Sequence, residues 1–149
     1  MKNLFLSLAL TMAAQSALAA SQVVCKTTLS NETGACTLQI SVAFPNAADP
    51  TQVSLNRQVV CSNSPAENLT GTLTLNPQVS ASLETIYPGN SVNAYIGTIQ
   101  NAPQYMFIMD TKITPSAISS SAVGVELGRG IEMGAEHGGS GGDMPCVAQ

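Results

Sequence analysis

Two constellations near the C-terminal end carry residue types that could do chemistry. Gly138-Gly139-Ser140-Gly141-Gly142 satisfies the G-x-S-x-G pattern of a hydrolase nucleophile elbow, and His137, the single histidine, stands close by. An elbow strains its serine between a strand and a following helix. This segment reads instead as a glycine-rich linker that meets the pattern by composition, so no catalytic residue is assigned and the chain is not expected to be an enzyme. The second constellation is Met133, His137, Met144 and Cys146, with Glu132, Glu136 and Asp143 between them. Thioether and imidazole donors suit copper. A disulfide would withdraw Cys146 and leave Met133, His137 and Met144 as the metal candidates; the bland alternative is a solvated tail, and no resident cofactor is expected.

The remaining acidic residues are scattered, so no carboxylate pair can be singled out for acid/base work. Asn31-Glu32-Thr33 and Asn68-Leu69-Thr70 match the glycosylation acceptor pattern, which chance supplies in a chain of this composition. Four cysteines, Cys25, Cys36, Cys61 and Cys146, contain no C-x-x-C spacing. In an exported chain they imply two disulfides with three pairings open.

Export is read from the N-terminus: Lys2, an apolar run from Leu4 to Ala14, then Ala17-Leu18-Ala19. A charged start, a short apolar core and an A-x-A site make a secretory signal peptide over residues 1–19, and the run is too short to span a bilayer. No small residues precede Cys25 as a lipid anchor requires, and no later stretch reads as a membrane span. The expected location is the periplasm, the cell surface or the exterior. After cleavage four basic residues, Lys26, Arg57, Lys112 and Arg129, face nine acidic ones, a net charge of −5. That leaves no cationic footprint for nucleic acid.

The elements that must position these residues are strands. Cys36, Leu38, Ile40, Val42 and Phe44 alternate with Thr37, Gln39, Ser41 and Ala43, a period of two that marks one buried face. Residues 22–29 alternate likewise, and the polar turn after them predicts a hairpin with the Cys36 strand. Gln52 to Cys61 reads as a third strand, in which Arg57 breaks the apolar parity and must reach a rim or a partner. Asn68 to Leu75 is a fourth and Val79 to Ile86 a weaker fifth. Tyr87-Pro88-Gly89-Asn90 predicts a type II turn. Ser91 to Gln100, Gln104 to Thr111 and Ala122 to Leu127 complete the set. No helix is expected; Pro115 to Ala122 is too rich in serine. Seven or eight short strands argue a single antiparallel β-sandwich, Ig-like or similar, over residues 20–127. Residues 128–149 hold seven of the twelve glycines and read as a flexible tail.

Gly34-Ala35-Cys36-Thr37-Leu38, Phe44 with Asn46 and Asp49-Pro50, Gln58-Val59-Val60-Cys61 and the alternating strand Leu69 to Leu75 resemble the spore-coat-U type subunits of archaic chaperone–usher pili, over about residues 34–75. The resemblance implies a Cys36–Cys61 bridge, which leaves Cys25 with Cys146. It also implies that Val23, Cys25, Thr27 and Leu29 are donated to a neighbouring subunit, completing its sheet by strand addition. The expected function is therefore a non-enzymatic, exported module acting by protein–protein contact, as a subunit or accessory of a surface fibre. The alternatives are a small periplasmic protein whose tail captures copper, and a secreted enzyme inhibitor.

Overall fold

The computed structural model describes residues 22–31, 34–86, 88–100, 102–120, 126–134 and 143–149. Eight strands follow one another: β1 Val23–Asn31, β2 Gly34–Ala43, β3 Gln52–Cys61, β4 Glu67–Leu75, β5 Val92–Ile99, β6 Ala102–Asp110, β7 Glu126–Gly134 and β8 Met144–Ala148. Two helices interrupt them, α1 Pro77–Ile86 between β4 and β5 and α2 Pro115–Ser120 between β6 and β7. Each strand pairs antiparallel with the next, and β8 returns to β1, so the sheet is a closed barrel.

This corrects the expected sandwich. A sandwich interrupts the hydrogen-bonded ladder between two sheets, whereas here every strand is hydrogen-bonded to the next and β8 to β1. The correction originates in the segment read as a tail, because β7 and β8 lie within residues 126–148 and close the ring. At Gly130 the glycine serves packing. A Cβ on Gly130 would sit 2.5 Å from the Cζ of Phe107, so the missing side chain makes room for an aromatic ring in the lumen. Residues 135–142, with the glycine run, Ser140 and His137, lie outside the described residues.

The helices are also corrections. Asn76-Pro77 does stop β4, but it starts α1 as well: Asn76 Oδ1 accepts the Val79 amide at 3.0 Å and Pro77 is the first helical residue, the position where proline lacks nothing the helix needs. Thr114-Pro115 repeats the device, Thr114 Oγ1 accepting the Ala117 amide at 3.1 Å. The fifth strand expected over residues 79–86 is thus a helix, tied to the barrel by the Ala94 amide donating to Ser80 Oγ at 2.9 Å. The turn before β5 has its positive φ at Gly89, +91°.

Alternation now decides what fills the barrel. Eight strands enclose a lumen that side chains can fill, and Leu38, Ile40, Val42, Val53, Leu73, Tyr95, Ile99, Phe107, Met109 and Met144 are all buried in it. Ile113 and Ile118, from α2 and the turn before it, join the same core. One end of the barrel therefore carries both helices; the ends of β1, β3, β5 and β7 and the starts of β2, β4, β6 and β8 mark the other, the hairpin end.

Candidate functional site

The polar side chains of the lumen gather toward the hairpin end. In a ring of eight, β3 and β7 are four strands apart and face each other across the interior. Arg57 on β3 and Glu132 on β7, 5% and 4% exposed, use that opposition: Arg57 Nε donates to Glu132 Oε1, an ion pair spanning the lumen. Arg57 Nη1 also stands 3.5 Å from Oε2 of Glu67 at the rim. The Tyr105 hydroxyl is buried beside the pair, near enough to feel both charges, and like Arg57 Nη1 and Glu132 Oε2 it has no hydrogen-bond partner of regular geometry. Burial, with the Glu132 carboxylate adding and Arg57 opposing, lifts the Tyr105 proton affinity far above the ordinary tyrosine range. A phenol so held is no base or nucleophile near neutral pH. The cluster braces opposite walls.

The two disulfides stand in contrasting places. Cys36–Cys61 joins directly opposed residues of β2 and β3, Cα atoms 4.1 Å apart, on the last rung of that ladder at the hairpin end. Both cysteines are half-buried, and they line a pocket of 370 Å³ with Gly34, Ala35, Ser62, Asn63 and Ser64. Cys25–Cys146 joins opposed residues of β1 and β8, Cα atoms again 4.1 Å apart, with both residues fully buried. This is the pairing that the resemblance implied.

The outer wall has two characters. Along β2, β3 and β4 the outward positions are mainly Thr37, Gln39, Ser41, Ser54, Asn56, Gln58, Asn68, Thr70, Thr72 and Thr74, and a groove of 390 Å³ runs among Gln22, Ser41, Ser54, Asn56, Thr70 and Thr72. A membrane barrel needs an apolar outward band; the outward face of these three strands is polar. No helix among the described residues is long and apolar enough to cross a membrane. Along β5, β6 and β7 the wall turns apolar. Ile96, Met106 and Met133 form one cross-strand row, and Ala94, Ile108 and Ile131 the next. At the helical end a pocket of 530 Å³ is lined by Asn90, Asp110, Lys112 and Arg129 among others. Its charges are internally matched: Arg129 bonds Asn90 and Asp143, and Lys112 lies 3.7 Å from Asp110.

Val23, Cys25, Thr27 and Leu29, expected as a donated strand, all lie on β1. That strand pairs with β2 over nine rungs and with β8 over three in its own barrel. Donation would require opening a seam that a disulfide holds. Of the metal candidates, Met133 faces outward and is 43% exposed, while Met144 is fully buried in the lumen; the barrel wall separates them. His137 lies outside the described residues, and among those described no three His, Cys, Asp or Glu side chains gather as a metal site. Arg57 was visible in the sequence as the charge breaking a strand's parity. Its partner Glu132 was not, because the glycines around it concealed β7. Comparison with protein families, with characterised proteins and with solved structures returned no match for this chain.

Proposed function

We propose that this chain is an exported, non-enzymatic β-barrel module that works by contact with other proteins through its outer wall, as a subunit or accessory of a surface fibre. The observation that carries the reading is the apolar row Ile96, Met106 and Met133 on β5 to β7, set on a barrel whose lumen is filled by its own side chains. Met133 is among the few large apolar side chains left substantially exposed, and an apolar strip rimmed by polar wall is what a protein contact requires. Two disulfides support an oxidising destination. With β1 paired to β2 along its length and to β8 at Val23, Val24 and Cys25, the contact is side chain on wall and needs no strand exchange.

A photo-crosslinking amino acid at position 133, compared with one at position 70 on the polar wall, tests this in the exported fraction. The expected result is a discrete crosslinked partner from position 133 and none from position 70. Equal crosslinking from both positions, or none from 133, would overturn the reading.

A further inference from the structure

We propose that Cys36–Cys61 is a thiol-exchange site, a disulfide that a low-molecular-weight thiol opens while the barrel stays folded. Reactivity of a disulfide toward thiols follows access to its sulfurs, and the two bridges differ in that respect. Cys25 and Cys146 are fully buried. Cys36 and Cys61 are half-buried and line a 370 Å³ pocket whose other walls are Gly34, Ala35, Ser62, Asn63 and Ser64. Those walls are small and, among the described residues, carry no carboxylate to repel an incoming thiolate.

The ladders say what opening would do. Cys36 and Cys61 form the terminal rung between β2 and β3, and pairing continues from Thr37 opposite Val60 to Ala43 opposite Ser54. Freeing the bridge leaves that seam paired. The β1–β8 seam is shorter, with the rungs of Val23, Val24 and Cys25 and the reciprocal backbone bonds of Gln22 and Gln149, so the bridge there is part of what closes the ring.

In the exchange, a thiolate attacks one sulfur of the Cys36–Cys61 bond; a new sulfur–sulfur bond forms to the small thiol, the protein bond breaks, and the displaced sulfur leaves as a thiolate and takes a proton from water. A second small thiolate then attacks the mixed disulfide. Two thiols are oxidised to one disulfide, and the protein bridge is reduced to two cysteines.

The folded full chain is incubated with reduced glutathione, quenched with an alkylating reagent and mapped by peptide mass spectrometry, with far-UV circular dichroism followed in parallel. Cys36 and Cys61 should acquire glutathione or the alkyl label at least about tenfold faster than Cys25 and Cys146, with the β spectrum retained. Equal rates, earlier opening of Cys25–Cys146, or loss of the β spectrum as Cys36–Cys61 opens would overturn the proposal. In denaturant the rate difference should vanish; if it persists, local sequence and not the pocket sets it, and the proposal fails. The Cys36→Ser/Cys61→Ser double variant should keep the β spectrum, and an unfolded variant would count against it.

Discussion

At the helical end of the barrel Ile113 and Ile118 press into a lumen of Val23, Val42, Tyr95, Phe107 and Met109, and the bridge there, Cys25–Cys146, is sealed within the same apolar packing. At the hairpin end the lumen is crossed by Arg57 and Glu132 with Tyr105 beside them, and the bridge, Cys36–Cys61, opens onto a pocket. The two ends are closed by forces of different kinds. Apolar closure is non-directional and roughly proportional to area, so trimming one side chain loses only that side chain's share. Ionic closure is conditional: two desolvated charges are tolerable only together. One end should therefore degrade gradually under mutation and the other abruptly.

Glu132→Ala gives the sharpest break in that comparison. It leaves the Arg57 guanidinium in the lumen without its principal counter-ion, and loss of one partner of a buried pair costs about 3–5 kcal/mol. Ile118→Val, a trimmed methyl at the other end, should cost about 0.5–1.5 kcal/mol. Replacing both charges, Arg57→Met with Glu132→Leu, should restore stability to near the parent, because apolar pairs of similar volume are as good or better in such places. Urea unfolding of the four proteins reads all of this. A Glu132→Ala loss no larger than the Ile118→Val loss would show that the hairpin end is wet and the contrast false.

How far these features could be read in advance follows the same division. Strands with long apolar alternation, such as β2 with Leu38, Ile40 and Val42 or β3 with Val53 and Leu55, were evident, because one buried face leaves its period in the sequence. β7 was hidden because its inward position 130 is filled by the ring of Phe107 from the neighbouring strand β6, so the signal of burial sits on another strand. Without β7 and β8 the sheet could not close, and a sandwich was the natural expectation. The first helix was missed because Asn76-Pro77 reads as the stop of a strand, and the second because the serines of Pro115 to Ala122 argue against a helix. Capping oxygen followed by proline is equally a start. Of the site, Arg57 announced itself and Glu132 did not, since pairing across a ring depends on the ring having closed.

Alkaline titration separates the ends by a smaller effect. Tyr95, whose hydroxyl donates to the Pro50 carbonyl at 3.0 Å, is pushed up to about 12 by burial, and Tyr105 is raised further by burial and Glu132. Both folded values exceed the unfolded one near 10, so the native state keeps protons that the unfolded chain gives up. Their contribution is complete below about pH 10 and declines as pH rises beyond it, by about 1.4 kcal/mol per unit for each tyrosine. Denaturation midpoints measured between pH 9 and 12 should fall accordingly. Tyr95→Phe should remove one share of the slope and Tyr105→Phe the other. An unchanged slope in Tyr105→Phe would mean that this hydroxyl reaches solvent.

The smallest effect tests whether the ends are energetically independent. Asn76→Ala removes the oxygen that receives the Val79 amide, and Thr114→Ala the one that receives the Ala117 amide; each loss should cost about 1 kcal/mol. Both caps belong to the helical end, and α1 reaches the sheet through Ser80 Oγ, which accepts the Ala94 amide on β5. Fraying α1 therefore loosens β5 first. Hydrogen exchange at Ala94 should quicken in Asn76→Ala, while the amides of Arg57 and Glu132 keep the protection of the parent, because local openings need not propagate through a packed lumen. Equal quickening at both ends would mean that the barrel opens only as a whole, and the two closures would then be parts of one cooperative unit.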